Sequence, residues 1–277
     1  MQDNRLVEEG AGAESEAKER PWILALLVLL LVFVGIWLLV TPSGWWEKLR
    51  LLGYAVCHQA ESRSFFFQTL QSPLCARCTG MYLGGLLAIA WQARQGRRGK
   101  FPPVWVMVLL GLFFIWFGMD GLNSFLHMFP SFKQGYEPSN LLRLITGTGV
   151  GLGIGAILTP LFNQTAWSDW LNRSYFEKWY SFPVLLALAG LMVLGVYSQN
   201  PLVLLPAMVL SGLSVIFLLG SLHTVLALII LRRSNQQQSW RQMRLPVLVG
   251  VNLTMVQILA TSALRFWLTG TWEPFVF

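Results

Sequence analysis

The chain runs to 277 residues, of which 55% are hydrophobic and only 12% charged, against about 25% charged in an ordinary soluble domain. That balance excludes a water-soluble globular protein and leaves an integral membrane protein, with the lipid bilayer as its first partner. The formal charge of +7 raises the question of a nucleic-acid partner, and the placement of the basic residues answers it without one.

Residues 1–20 are polar, rich in Glu and Ala and free of aromatics, and read as a disordered cytoplasmic tail. A spanning helix needs about 20 mainly apolar residues, and residues 21–40 supply the first. This run is longer than the roughly 7–15 residues of a signal-peptide core, its leader is long and acidic, and no small-x-small cleavage site follows. It reads as a retained anchor, with Trp45 and Trp46 as an interfacial aromatic pair at its exit. The second run, 78–93, is short and qualifies as a span when extended to about Leu74. Residues 101–119, 144–162, 179–200, 202–231 (punctuated by Pro206) and 245–264 supply five more. The expected fold is therefore an all-α polytopic integral membrane bundle of about seven transmembrane helices, with residues 21–277 as a single helical domain.

Seven spans divide the connections between two sides. One side holds Arg5, Lys18 and Arg20, then Arg94, Arg97, Arg98 and Lys100, then Arg173 and Lys178, then Arg232, Arg233, Arg241 and Arg244: thirteen cations. The other holds four, Lys48, Arg50, Arg63 and Lys133, while Arg77, Arg143 and Arg265 lie in or beside spans. Basic residues favour the cytoplasmic side, so the N-terminus is expected inside and the loop 41–74 outside. Localisation follows as the cell membrane.

That outer loop leads into all the cysteine the chain has. Cys57 precedes His58, and Cys75-Ala-Arg-Cys78 follows, so three thiols fall within 22 residues. Helix directions bring further polar groups to the same level. Asp120, Asn123 and His127 share one face by their i, i+3, i+7 spacing, as do Cys75, Cys78 and Tyr82, with Arg77 between the thiols. Arg143 lies on the stripe of Gly147, Gly151 and Gly155, a small-xxx-small pattern that lets helices approach closely. Arg265 ends a stripe of Thr254, Gln257 and Thr261. Charges inside a membrane usually face a bundle interior, a cavity or a partner, although an Arg near a helix end can also snorkel to the interface. His223, deeper in the sixth span and with no acidic or Cys neighbour at helical spacing, reads as a core histidine bonded to a carbonyl.

Three readings of the cysteines stay open. Zinc takes thiolates and imidazoles in tetrahedral sites, and Cys-x-x-Cys is the usual spacing for two ligands. Cys57, Cys75 and Cys78 would be the main ligands, His58 or His127 would complete the shell, and Asp120 with Arg143 would form a supporting pair. A redox reading uses Cys75 and Cys78 near a helix N-terminus, where the dipole and Arg77 favour thiolate. A membrane or redox partner protein would then supply a fourth cysteine. The third reading is a structural disulfide. A small-solute transporter is a separate class, but no paired broken helices or inverted halves are visible.

The string Cys57-His58-Gln59, Arg63-Ser64-Phe65 and Pro73-Leu-Cys75-Ala-Arg-Cys78-Thr79-Gly80-Met81-Tyr82 resembles the signature of a bacterial and archaeal family of multi-pass membrane proteins catalogued as a domain of unknown function. Asp120-Gly121 and the pattern Asn140-x-x-Arg143-x-x-Thr146-Gly147 fit it too, so the resemblance covers about residues 50–155. It implies a membrane location and a set of matching polar positions, with no established reaction.

Overall fold

The computed structural model describes residues 2–127, 129 and 135–275, with the side chains of residues 2–17 outside that description. Lys133, one of the four cations counted on the sparser side, lies outside the described residues, as does the side chain of Arg5.

Among the described residues there are eight α-helices: α1 (Gln2–Val40), α2 (Trp45–Tyr54), α3 (Ala76–Ala93), α4 (Val104–Leu126), α5 (Asn140–Ala166), α6 (Ser181–Tyr197), α7 (Pro201–Ile230) and α8 (Arg244–Thr269). Five of them, α1, α4, α5, α7 and α8, are long and apolar enough to cross a membrane; α6 is a shorter apolar helix. The chain is an all-α polytopic membrane bundle. Local signals set several boundaries. Ser139 caps α5 by accepting from the Leu142 N–H at 3.2 Å, and Asn200 caps α7 by accepting from Leu202 at 3.0 Å, with Pro201 at the first helical position. Gly270 closes α8 in the left-handed conformation (φ 69°).

Three stretches differ from the sequence reading. Residues 2–20, expected as a disordered tail, are continuous with α1; Ala, Glu and Lys are strong helix formers. The second span begins at Ala76 rather than Leu74, because Leu70–Cys75 is a strand and Pro73 favours extended chain before it. The loop 41–74 is also not a plain connection. It holds α2, a 3-10 turn (Glu61–Arg63) and an antiparallel hairpin of β1 (Ser64–Phe67) and β2 (Leu70–Cys75). Trp46, expected at an interface, is buried and donates to the Gln71 carbonyl at 3.0 Å, while Trp45 is exposed.

α3 and α5 form the centre of the bundle, and α5 is the most enclosed of the long spans. Lipid tails are as apolar as leucine, so helices in a membrane are held by close packing rather than by the hydrophobic effect. Here the packing is backbone against backbone. A Cβ at Gly147 would lie 2.0 Å from the Arg77 carbonyl oxygen, one at Gly151 2.1 Å from that of Met81, and one at Gly80 2.3 Å from that of Leu144. Further along, Gln92 donates to the Gly155 carbonyl at 2.9 Å.

The two ends of the bundle differ in chemistry. At one end the basic loops meet: β3 (Arg98–Lys100) pairs in parallel with β4 (Leu171–Ser174), Arg97 bonds Asp169 at 2.7 Å, and Arg233 pairs with Glu19. At the other end lie α2, the hairpin and the cysteines. The segment after α8 folds over them, with the Phe275 N–H donating to the His58 carbonyl at 3.1 Å. His223 sits within α7, its Nδ1 2.9 Å from the Thr254 hydroxyl.

Candidate functional site

The cysteine end is assembled around Gln59. This residue is fully buried and adopts φ 56°, a left-handed conformation that costs a non-glycine residue about 1–2 kcal/mol. Its side-chain amide offsets that cost by donating to the carbonyls of Arg50 at 2.6 Å and Pro73 at 2.7 Å. The bridge ties the end of α2 to β2. Gly53 makes the approach possible, since a Cβ there would lie 1.9 Å from the Pro73 oxygen. The Cys57–His58 segment is thereby laid against the end of β2, where Cys75 occupies the N-cap position of α3.

Cys57 Sγ accepts from the backbone N–H groups of Gln59 at 3.4 Å and Cys75 at 3.3 Å. Donor atoms of Cys57, His58 and Cys75 all lie within 4.8 Å of one another, and the Cys78 thiol, one turn into α3, interacts with both other sulfurs. All three are free thiols. The cluster shares its protons unevenly. Hydrogen bonds from Cys57 and then Cys78, with a further one from His58, hold Cys75 well below the usual thiol range, while bonding to Cys75 and burial push Cys57 up. One thiolate is thus stabilised by its neighbours at the start of a helix, where the dipole favours negative charge.

The donor set suits a soft metal, and His58 qualifies it. Its Nδ1 accepts from the Ala60 N–H at 2.9 Å, so the neutral ring carries its proton on Nε2. Ligation through Nε2 requires a proton on Nδ1, and therefore a ring turned away from Ala60. The three sulfurs need no such change. His127, the other histidine expected to complete the shell, is not in this group; its Nδ1 lies 2.9 Å from the Asn123 carbonyl.

The surrounding polar residues divide into two sets. Arg265 belongs with the thiols: it donates to the carbonyls of Tyr54 at 2.9 Å, Cys57 at 2.5 Å and His58 at 3.3 Å, and stacks over the Tyr54 ring at 3.8 Å. Tyr82 is buried in the same hydrophobic cluster as Cys57 and Cys75. The second set centres on Asp120, which is fully buried. Its expected partner was Arg143, but the structure pairs it with Arg77, and Arg143 donates instead to Asn140 Oδ1 at 3.0 Å. The correction is one of helix phase. Arg77 follows Cys75 by two residues, which turns it about 200° away from that thiol and toward α4, where it also faces the Phe117 ring at 5.3 Å. Arg63 donates to the Ser124 carbonyl at 3.3 Å, and Asn123 to the Tyr136 carbonyl at 2.8 Å.

Sequence reasoning did not single out Gln59, Tyr54, Ser124 or Tyr136. Gln59 stands directly after Cys57-His58 in the signature, so a signal was present. Tyr136, whose hydroxyl donates to Asp120 Oδ1 at 2.9 Å, comes from a connection with no periodic pattern. Burial and the bond to Asp120 push its phenol up to about 12.

The family profile described as "Predicted membrane protein (DUF2085)" matches residues 57–157, a stretch that begins at Cys57 and contains the three cysteines, His58, Gln59, Arg77, Asp120 and Arg143, but not Arg50, Gly53, Tyr54 or Arg265. An uncharacterized protein of Methanocaldococcus jannaschii is 28% identical over 153 residues, which cover 51% of this chain and 92% of that protein. An uncharacterized protein of Methanothermobacter thermautotrophicus is 30% identical over 109 residues, covering 39% of this chain and 88% of that protein. No solved structure matches the chain.

Proposed function

This chain belongs to the DUF2085 family of predicted membrane proteins, and on that premise we propose that it is a membrane metal-binding protein in which Cys57, Cys75 and Cys78 hold a zinc ion. The observation that carries this reading is the convergence of Cys57, His58 and Cys75 donor atoms within 4.8 Å, with Cys78 in contact with both sulfurs. Zn–S bonds of about 2.3 Å put tetrahedral sulfurs about 3.8 Å apart, so the donors need to contract only slightly. Thiolates also select soft or borderline ions over magnesium and calcium. His58 takes the fourth position by turning its ring off Ala60.

The sidedness proposed with it is a cytoplasmic N-terminus, seven spans and an extracytoplasmic cysteine end. The concentration of Arg and Lys at the opposite end of the bundle supports this orientation.

Metal analysis of protein purified without chelator tests the main reading. Near-stoichiometric zinc that disappears in Cys75→Ser is the expected result, and metal-free wild-type protein overturns it. A specific observation favours a second reading: Cys75 is the stabilised thiolate and sits beside Cys78 at a helix start. In a thiol–disulfide oxidoreductase the pair, Cys75 as thiolate and Cys78 as thiol, would pass two electrons to a partner oxidant and release one proton as the disulfide forms. Alkylation trapping in cells separates the two, because a zinc site keeps its thiols reduced whereas a redox pair cycles.

A further inference from the structure

Toward the basic end of the bundle, away from the cysteines, a cavity of about 740 Å³ lies between α3, α5, α7 and α8. Sites that enclose a small ligand measure about 300–1,000 Å³. Along α7 the cavity runs from Leu213 to Thr224, about 16 Å at a rise of 1.5 Å per residue. Leu213 and Phe217 on this wall are 49% and 47% exposed, so the described residues leave the space beside them unfilled. α7 is long and apolar enough to cross a membrane, and the medium at that depth is hydrocarbon.

The polar side chains on the walls have already spent their donors inside the protein. Thr159 donates to the Gly155 carbonyl at 2.9 Å, Ser221 to that of Phe217 at 2.8 Å and Thr224 to that of Gly220 at 2.7 Å. Asn163 donates to the Arg98 carbonyl and the Tyr175 hydroxyl, and Tyr175 to the Gly96 carbonyl. A polar solute in this space would leave its acceptors unmet, which is costly. A hydrocarbon chain needs no partner.

The mouth has the opposite character. Arg97 stacks over the Trp167 ring at 3.7 Å, and Trp240 packs edge-on against the same ring at 4.8 Å; tryptophan is favoured at a membrane–water boundary. Every bond of the Arg97 side chain among the described residues, to Asp169 and the Gln238 carbonyl, passes through Nη1. Nε and Nη2 are left to face an oxyanion, which a guanidinium fork matches. The connections that contribute to the mouth, 94–100, 167–178 and 231–244, carry ten Arg and Lys against two acids, Asp169 and Glu177. Arg241 and Arg244 are exposed and form no ion pair among the described residues.

We propose that this cavity holds one acyl chain of an anionic phospholipid from the surrounding bilayer, with the lipid phosphate at Arg97. An apolar slot beneath a cationic rim is complementary to a molecule with an apolar tail and an anionic head. The site is separate from the sulfur centre and does not depend on zinc.

The test titrates the full chain, stripped of lipid in detergent, with phosphatidylglycerol and with phosphatidylcholine of the same acyl chains, read by native mass spectrometry. Saturable binding that favours phosphatidylglycerol is expected, because the rim repels the choline cation. Arg97→Gln should weaken phosphatidylglycerol about tenfold, the effect of losing a charged hydrogen bond. Gly220→Phe should weaken both lipids about tenfold or more by filling the slot, since a Cβ at Gly220 meets nothing closer than 3.9 Å. Ala93→Phe, on the exposed last turn of α3, narrows the same cavity and keeps the test decisive if Gly220→Phe fails to fold. Glycerol phosphate, a headgroup without a chain, should not displace the lipid. Equal affinity of the wild-type chain for the two lipids, displacement by glycerol phosphate, or unchanged binding in Arg97→Gln and the cavity-filling variants overturns the proposal.

Discussion

Arg265 Nη1 donates to the Cys57 carbonyl oxygen at 2.5 Å across 208 residues of chain. The last helix of the bundle thus holds the loop that carries the first cysteine, and it does so through backbone oxygens rather than through the sulfur. The same guanidinium covers the Tyr54 ring and reaches the carbonyls of Tyr54 and His58, so one side chain fixes the segment from the end of α2 to the histidine.

Arg265→Leu should therefore release the Cys57–His58 segment without disturbing Cys75 and Cys78. Hydrogen bonds to charged groups are worth about 1.5–3 kcal/mol each, and losing this set, partly replaced by water, should cost about 2–4 kcal/mol locally. Maleimide labelling of Cys57 in metal-free protein is expected to accelerate at least tenfold, with Cys75 unchanged. Arg265→Lys should rescue little, because an ammonium cannot reproduce the planar fork or the ring stacking. Equal labelling rates in wild type and both variants would count against this role.

Asp120→Asn should be strongly destabilising. It removes the charge that neutralises Arg77 while Asp120 is fully buried and the Arg77 side chain only 18% exposed. Breaking a buried pair from one side typically costs about 3–5 kcal/mol, whereas an apolar replacement of both partners is often neutral. The double variant Arg77→Met, Asp120→Leu should then unfold later than Asp120→Asn alone. Denaturant titration of wild type, Arg77→Met, Asp120→Leu and their double variant measures the coupling.

Gly151→Val places a side chain where even a Cβ would lie 2.1 Å from the Met81 carbonyl oxygen. Neither backbone can yield without opening the α3–α5 contact, so a loss above about 3 kcal/mol is expected. Gly111→Ala on α4 is the control, since nothing lies within 4 Å of a Cβ there. It should be neutral or stabilising by about 0.5–1 kcal/mol. Thermal unfolding of both variants in one detergent provides the comparison.

Gln59→Leu leaves the Arg50 and Pro73 carbonyls without their amide donor in a buried position. An unsatisfied buried polar group costs about 1–3 kcal/mol, and the positive φ persists. Limited proteolysis should find the 55–63 segment newly cleavable in this variant, with the helices still protected. An unchanged digestion pattern would show that the bridge is dispensable.

How much of this was legible depends on which coordinate is asked for. The apolar runs located the long helices, because about 20 residues without charge leave few alternatives. The glycine spacing from Gly147 to Gly155 foretold close packing, since only a missing side chain lets backbones touch. Helix direction gave Asp120, Arg143 and Arg77 a common depth, but depth carries no azimuth, and the assignment of Asp120 to Arg143 failed on that point. The hairpin was hidden because Ser64–Phe67 is only four residues long and is fixed by pairing with β2 rather than by alternation. His127 and His58 looked interchangeable as donors until the turn at Gln59 brought one of them to the thiols.

The glycine contact between α3 and α5 has a kinetic consequence. Cys75 and Cys78 are carried by a helix whose backbone rests directly on its neighbour, so they form an anvil that cannot swing aside. Cys57 and His58 lie in the turn after α2, held by the Gly53 carbonyl, the Phe275 N–H and the side chains of Gln59 and Arg265. If the sulfur centre holds a metal as proposed, the residence time of that metal should depend on Gln59 and Arg265 as well as on the cysteines.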